Sequence, residues 1–161
     1  DADGIIETFR PPGVAERLGV GPRDCLHHNP NLVYGRMTGW GGQSGPMASR
    51  PGHDINYIAL TGALHQIGRK GGPPVPPLNL VGDFGGGGTF LAFGMLAGHP
   101  VRPRRARRPC RRCGDDRRSL GLMAMFHSYR AEGDFVEERG ANLLDTGAFF
   151  YASTRPATDS G

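Results

Sequence analysis

A chain of 161 residues is long enough for one domain with a core of its own, and its apolar content of 37% is low for a globular protein. The 27 glycines and 14 prolines show no period, which excludes a collagen-like repeat, and no uninterrupted run of 18 apolar residues occurs, so no membrane span is expected. The net charge of +4 is local: residues 102–118 hold nine arginines and two aspartates, the remainder is mildly acidic, and a nucleic-acid partner would rest on that one tract.

Gly4-Ile5-Ile6-Glu7-Thr8-Phe9 is apolar and β-branched, and predicts a short buried strand broken by Arg10-Pro11-Pro12-Gly13. Val14–Leu18 predicts a short helix ended by Gly19, and Leu32–Thr38 a second strand. The glycine-rich run Gly39-Trp40-Gly41-Gly42-Gln43-Ser44-Gly45 is one residue away from a dinucleotide-binding turn. Pro46 and Pro51 leave no helix directly behind it, so it reads as a loop. Ile55, Ile58, Ala59, Ala63, Leu64 and Ile67 recur near helical spacing and predict one buried amphipathic helix over 54–67. Gly68 is its expected stop, and His65 within it a packing or surface residue. Gly71–Pro77 is a rigid turn. Gly85–Gly88 is expected to open a further helix, Thr89–Ala97, whose free N–H groups could meet a negative oxygen. Ser119–Ala131 returns to a helical pattern.

His53 and Asp83 each stand beside a glycine, just before separate helix-like runs. Such an arrangement can bring an imidazole and a carboxylate to one point from opposite sides. Each also has a plainer reading alone: Gly52-His53-Asp54 as a turn, Gly82-Asp83-Phe84 as a helix N-cap, and Arg10 and Arg17 as solvated charge.

Two longer strings change that balance. Gly52-His53-Asp54-Ile55-Asn56-Tyr57, followed by Pro77-Leu78-Asn79-Leu80-Val81-Gly82-Asp83-Phe84-Gly85, resembles the racemase branch of the family III CoA-transferases. Ile5–Gly21, Leu32–Gly45 and Glu138–Tyr151 are similar too, so the resemblance covers roughly residues 3–98 and 120–151. It implies an α/β fold, part of a Rossmann-like large domain, in an interlocked homodimer. The implied activity is a 1,1-proton transfer on 2-methylacyl-CoA thioesters through an enolate, with His53 and Asp83 as the acid/base pair and Asp54 orienting or tuning His53. Glu7, Arg10, Arg17, Gly52 and Tyr57 match residues at the coenzyme A site, although two prolines stand after Arg10 where the family has one. No metal or redox cofactor, no specific nucleic acid and no membrane is implied, and the expected location is cytoplasmic. The alternatives are a CoA-transferase of the same superfamily, with Asp83 as nucleophile, or an inactive fragment. His53 favours the racemase, because a transferase does not require a base there.

The chain therefore divides into 1–98 with both motifs, an Arg/Pro-rich stretch 99–118, a continuation 119–151 and an aberrant tail 152–161. Cys110-Arg111-Arg112-Cys113 is half a zinc site at most, with Cys25, His27 and His28 far off in sequence, and three cysteines make no disulfide framework and suggest a reducing compartment. The tract has no interleaved aromatic for stacking on bases. It reads instead as disordered chain or as a stretch out of the gene's frame. Codons for Cys110–Arg118 shifted by one nucleotide can give Val-Asp-Ala-Ala-Ala-Met-Thr-Asp-Gly, close to the family's own segment. A shifted frame at the tail can do the same. The chain begins at Asp1, not methionine, and no signal peptide is seen, which reads as a fragment or trimmed product.

Overall fold

The computed structural model describes residues 2–41, 44–99, 114–115 and 123–151. The Arg/Pro-rich stretch, apart from His99 and Gly114–Asp115, and the tail lie outside these residues, as do Gly42, Gln43 and the start of the 119–131 pattern.

A parallel sheet in the order β1-β2-β3 forms the frame, from β1 (Gly4–Glu7), β2 (Val33–Thr38) and the two-residue β3 (Gly114–Asp115). Short helices α1 (Val14–Arg17) and α2 (Pro22–His28) make the crossover between β1 and β2, as parallel pairing requires. Gly13 and Gly19, both at positive φ, bracket α1 as the sequence suggests. α2 goes unread from periodicity, yet its signals are ordinary ones: Pro22 in the first turn, Asp24 near the start, His27 and His28 in the last turn.

β1 is not the buried strand its composition predicts. Ile6 is 56% exposed and Glu7 is buried, because the strand alternates and sits at the sheet's edge. In the register, Glu7 stands beside Arg36 of β2, and the two form a buried ion pair. Arg36 also reaches the exposed Glu16 at 3.0 Å. β2 is the fully packed strand, with Val33, Tyr34, Gly35 and Arg36 all buried.

The expected single helix over 54–67 is two: α3 (Asp54–Leu60) and α4 (Ala63–Gln66), divided at Gly62 with φ 84°. The break rotates the apolar stripe, so Ile58 and Ala63 enter the core while Ile55 is 43% exposed. Met123 closes this cluster, with Leu64, Val81 and Phe126 packed against it. Phe126 belongs to α6 (Ala124–Glu132), which ends at Gly133 in the left-handed region. Arg139 ties the following segment back by donating to the carbonyls of His65, at 2.8 Å, and Gly72.

The last correction concerns the glycines. They do not open a helix; they lie inside one. A π-helix runs from Leu80 to Gly88 and continues without a break as α5 (Thr89–Gly98). Within these 19 residues an 18-residue window has a mean hydropathy of 1.3, a length and composition that would suit a membrane span. Counting only uninterrupted apolar runs missed this, because Asp83 and Thr89 interrupt it. In this fold the helix lies on β2: a Cβ on Gly35 would come within 2.6 Å of Met95 Sδ, and Leu91 is buried there.

Candidate active site

The carboxylate of Asp54 joins the two motifs. It opens α3, is only 4% exposed, and its Oδ2 accepts hydrogen bonds from the N–H groups of Gly82 and Asp83, both at 2.7 Å. Those N–H groups belong to the first turn of the π-helix and have no partner within it, so an anion is favoured there. Gly82 must lack a side chain, since a Cβ would lie 2.9 Å from Asp54 Oδ2. Asp54 thus acts on the Asp83 end of the site, whereas it was expected to orient the neighbouring His53. Its second oxygen, Oδ1, is buried and finds no hydrogen-bond partner among the described residues.

His53 precedes α3 and its backbone N–H is held by Asn56 Oδ1 at 2.9 Å. His53 and Asp83 both line one cleft of about 490 Å³. Its other walls are Phe9 and Arg10 from the loop after β1, Trp40 after β2, Arg50, Gly52 and Tyr57. The Trp40 ring meets Tyr57 edge-on at 4.9 Å, and its N–H donates to the Arg50 carbonyl at 3.2 Å. Gly52 lets this pair close up: a Cβ would come within 2.7 Å of Trp40 and 2.8 Å of Tyr57.

Burial pushes the Asp83 carboxyl above its usual range, and the nearby Asp54 charge pushes it further. A side-chain hydrogen bond with Asn79 and the charge of His53 pull the other way without cancelling the rise. Asp83 is therefore a carboxyl whose protonated form is within reach nearer neutral pH, facing the same space as an imidazole.

Of the expected coenzyme A residues, Arg10, Gly52 and Tyr57 line the cleft. Glu7 lies beneath it, buried, bonded to Arg36 and to the N–H of Phe9 at 2.8 Å. It fixes the start of the loop that carries Phe9 and Arg10. Arg17 is exposed on α1 and is not part of the lining. The anion-binding helix start expected at Gly85–Gly88 is absent for the reason given above: those N–H groups lie within a continuing helix. Trp40, Arg50 and Asn79 were not singled out from sequence. Only Trp40 carried a signal, as the single tryptophan in a glycine-rich loop. Among the described residues, no group of three or more His, Cys, Asp or Glu side chains could hold a metal ion.

The sequence profile of CoA-transferase family III matches residues 1–105, about two thirds of the chain. The chain belongs to CoA-transferase family III. Within this family it is similar to the alpha-methylacyl-CoA racemase of Mus musculus, 41% identical over 156 residues that cover 97% of this chain and 40% of that protein. The corresponding racemase of Homo sapiens is 38% identical over the same share of each. A probable fatty acyl-CoA transferase of Mycobacterium tuberculosis, Rv3272, is 42% identical over 60% of the chain and 24% of its own length. The crystal structure of Rv3272 superposes with a TM-score of 0.63 at 33% identity, covering 82% of this chain and 36% of that one. A CAIB/BAIF family protein from Brucella suis gives 0.68 at 24% identity, covering 82% and 34%, a likeness of fold. This family III chain spans about 40% of the length of the racemases it matches.

Proposed function

We propose that this chain carries the substrate cleft and the proton-transfer pair of an α-methylacyl-CoA racemase. One observation carries the reading: two residues that can trade protons, His53 just before one helix and Asp83 within another, line a single cleft. Inverting a carbon centre by proton transfer needs an acid and a base on opposite faces of a planar intermediate. Neutral His53 takes the α-proton of one enantiomer of a 2-methylacyl-CoA, and the electron pair delocalises onto the thioester oxygen. Protonated Asp83 then returns a proton to the other face. Its raised pKa favours that protonated form. The opposite enantiomer reverses both roles. Arg10 and Arg50 supply positive charge in the wall, which suits the phosphates of a CoA ester. The family's interlocked homodimer belongs to the same proposal.

The identity to two racemases over 97% of the chain supports this above the transferase reading. The test uses the protein extended to racemase length and follows deuterium incorporation at the α-carbon in D₂O. His53→Ala and Asp83→Ala should each lower racemisation by about 100-fold or more, the range of a lost general acid or base. The two should differ in which enantiomer keeps residual exchange. Unchanged racemisation in His53→Ala would reject the two-base assignment. Transfer of CoA between carboxylic acids, with Asp83 trapped as an acyl anhydride, would establish the transferase instead.

A further inference from the structure

We infer that the run Gly85–Gly88 holds the start of the long helix in wide, i→i+5 winding, and that this winding is what aims Asp83 into the cleft. The inference rests on the racemase reading for its activity arm only.

The winding is visible in the hydrogen bonds. The Phe84 N–H reaches the Asn79 carbonyl at 3.3 Å, and the Thr89 N–H reaches the Phe84 carbonyl, both five residues back. The Thr89 hydroxyl donates to that same carbonyl at 2.9 Å. Nine consecutive π-helical residues are unusual, since such winding ordinarily occurs as a single turn and often at functional sites. Glycine tolerates it because it gives up least by leaving the α-helix: its α propensity is about 1 kcal/mol poorer than that of alanine.

Both ends of the stretch are fixed. At one end Asp54 holds the N–H groups of Gly82 and Asp83. At the other, α5 is seated on β2 through Leu91 and Met95. An α-helix turns about 100° per residue. A π-helix turns roughly 80°, since each turn takes in about one residue more. Over the six residues from Asp83 to Thr89 the difference is about 120°. Rewound as an α-helix on the same seat, Asp83 would leave the wall it shares with His53 and leave Asp54. Removing one residue from an α-wound version nearly restores the direction, because five α steps and six π steps differ by only about 20°. Gly85 to Gly88 are thus positioning residues that act through Asp83.

The test is a rescue. Gly85→Ala/Gly88→Ala favours α winding at the two glycines of the run that are not fully buried. In the racemase-length protein it should lower kcat by about 100-fold, the scale of a misaimed catalytic group. Deleting Gly86 in that background should recover activity to within about tenfold. In parallel, carbonyl NMR follows the Asp83 titration: its pKa should fall toward the ordinary aspartate range in the double variant, as the carboxyl leaves Asp54, and rise again on deletion. Unchanged activity and titration in the double variant would overturn the inference, as would a loss that the deletion fails to rescue. If the parent protein racemises nothing, the racemase reading fails, and the titration alone decides the winding.

Discussion

Two carboxylates of this chain, Glu7 and Asp83, are both partly withdrawn from water, and they should respond oppositely to removal. Glu7 is buried and neutralises the buried Arg36. Among the described residues, Glu7→Ala leaves that guanidinium with the exposed Glu16 as its one ion-pair partner, and should destabilise the fold by about 3–5 kcal/mol in urea or thermal unfolding. Glu16→Ala should cost less than about 1 kcal/mol, because its side chain is 46% exposed. Among the described residues no buried cation stands opposite Asp83, and its carboxyl sits above the usual range through burial and the Asp54 charge. A raised carboxyl contributes its stability below the unfolded-state pKa and loses it as pH rises through the folded-state value. Ionised Asp83 therefore burdens the fold at neutral pH. Asp83→Asn should raise Tm at pH 7, and the gain should fade as pH drops below about 4, where the carboxyl is protonated in both states. A gain that grows on acidification would contradict the assigned environment.

Among the elements, β1, β2 and α1 were legible because their residues make local sense, whereas β3 falls in the stretch read as disordered or out of frame. Val33-Tyr34 supplies β-branched and aromatic bulk, and glycines bracket Val14–Arg17. What escaped depends on contacts that no local pattern encodes. Glu7 is inside because the register puts it beside Arg36, and nothing in Gly4–Glu7 announces a cation 29 residues away. The π-helix escaped because four glycines carry no side-chain periodicity, and the expected helix over 54–67 took no account of Gly62, where it divides. The site itself was legible as two motifs, but not how they are joined. Asp54 read as a partner for its neighbour His53, whereas its oxygen spans to the N–H groups of Gly82 and Asp83. Asp54→Ala should therefore do two things. Losing the cap should cost about 1–2 kcal/mol; in the racemase-length protein of the proposed function, kcat should fall with KM little changed, because Asp83 loses its anchor while the Arg10 and Tyr57 wall stands. A rise confined to KM would place Asp54 in substrate binding instead.

At the scale of the whole chain, the sheet is covered unevenly. Leu80, Phe84, Phe93 and Leu96 are each 58–73% exposed along the π-helix and α5, and Leu78 just before them is 76% exposed. At about 25 cal/mol per Å² of apolar area, four such side chains in water forgo several kcal/mol of possible burial. Apolar exposure on this scale marks a face that meets another surface. The relatives at racemase length carry more than twice this much chain, and the helix lies directly beside the cleft through Asp83. The 161-residue chain should accordingly bind a hydrophobic dye and sediment as a concentration-dependent mixture at micromolar concentrations. Phe93→Glu/Leu96→Glu should shift it toward monomer with a Tm change under about 1 kcal/mol equivalent, since neither side chain is in the core. In the racemase-length protein the same pair should instead lower Tm or activity, because the face is then covered and a charge there is buried. A short chain that stays monomeric and dye-free, or a long one indifferent to both substitutions, would show that this helix stands in water by design.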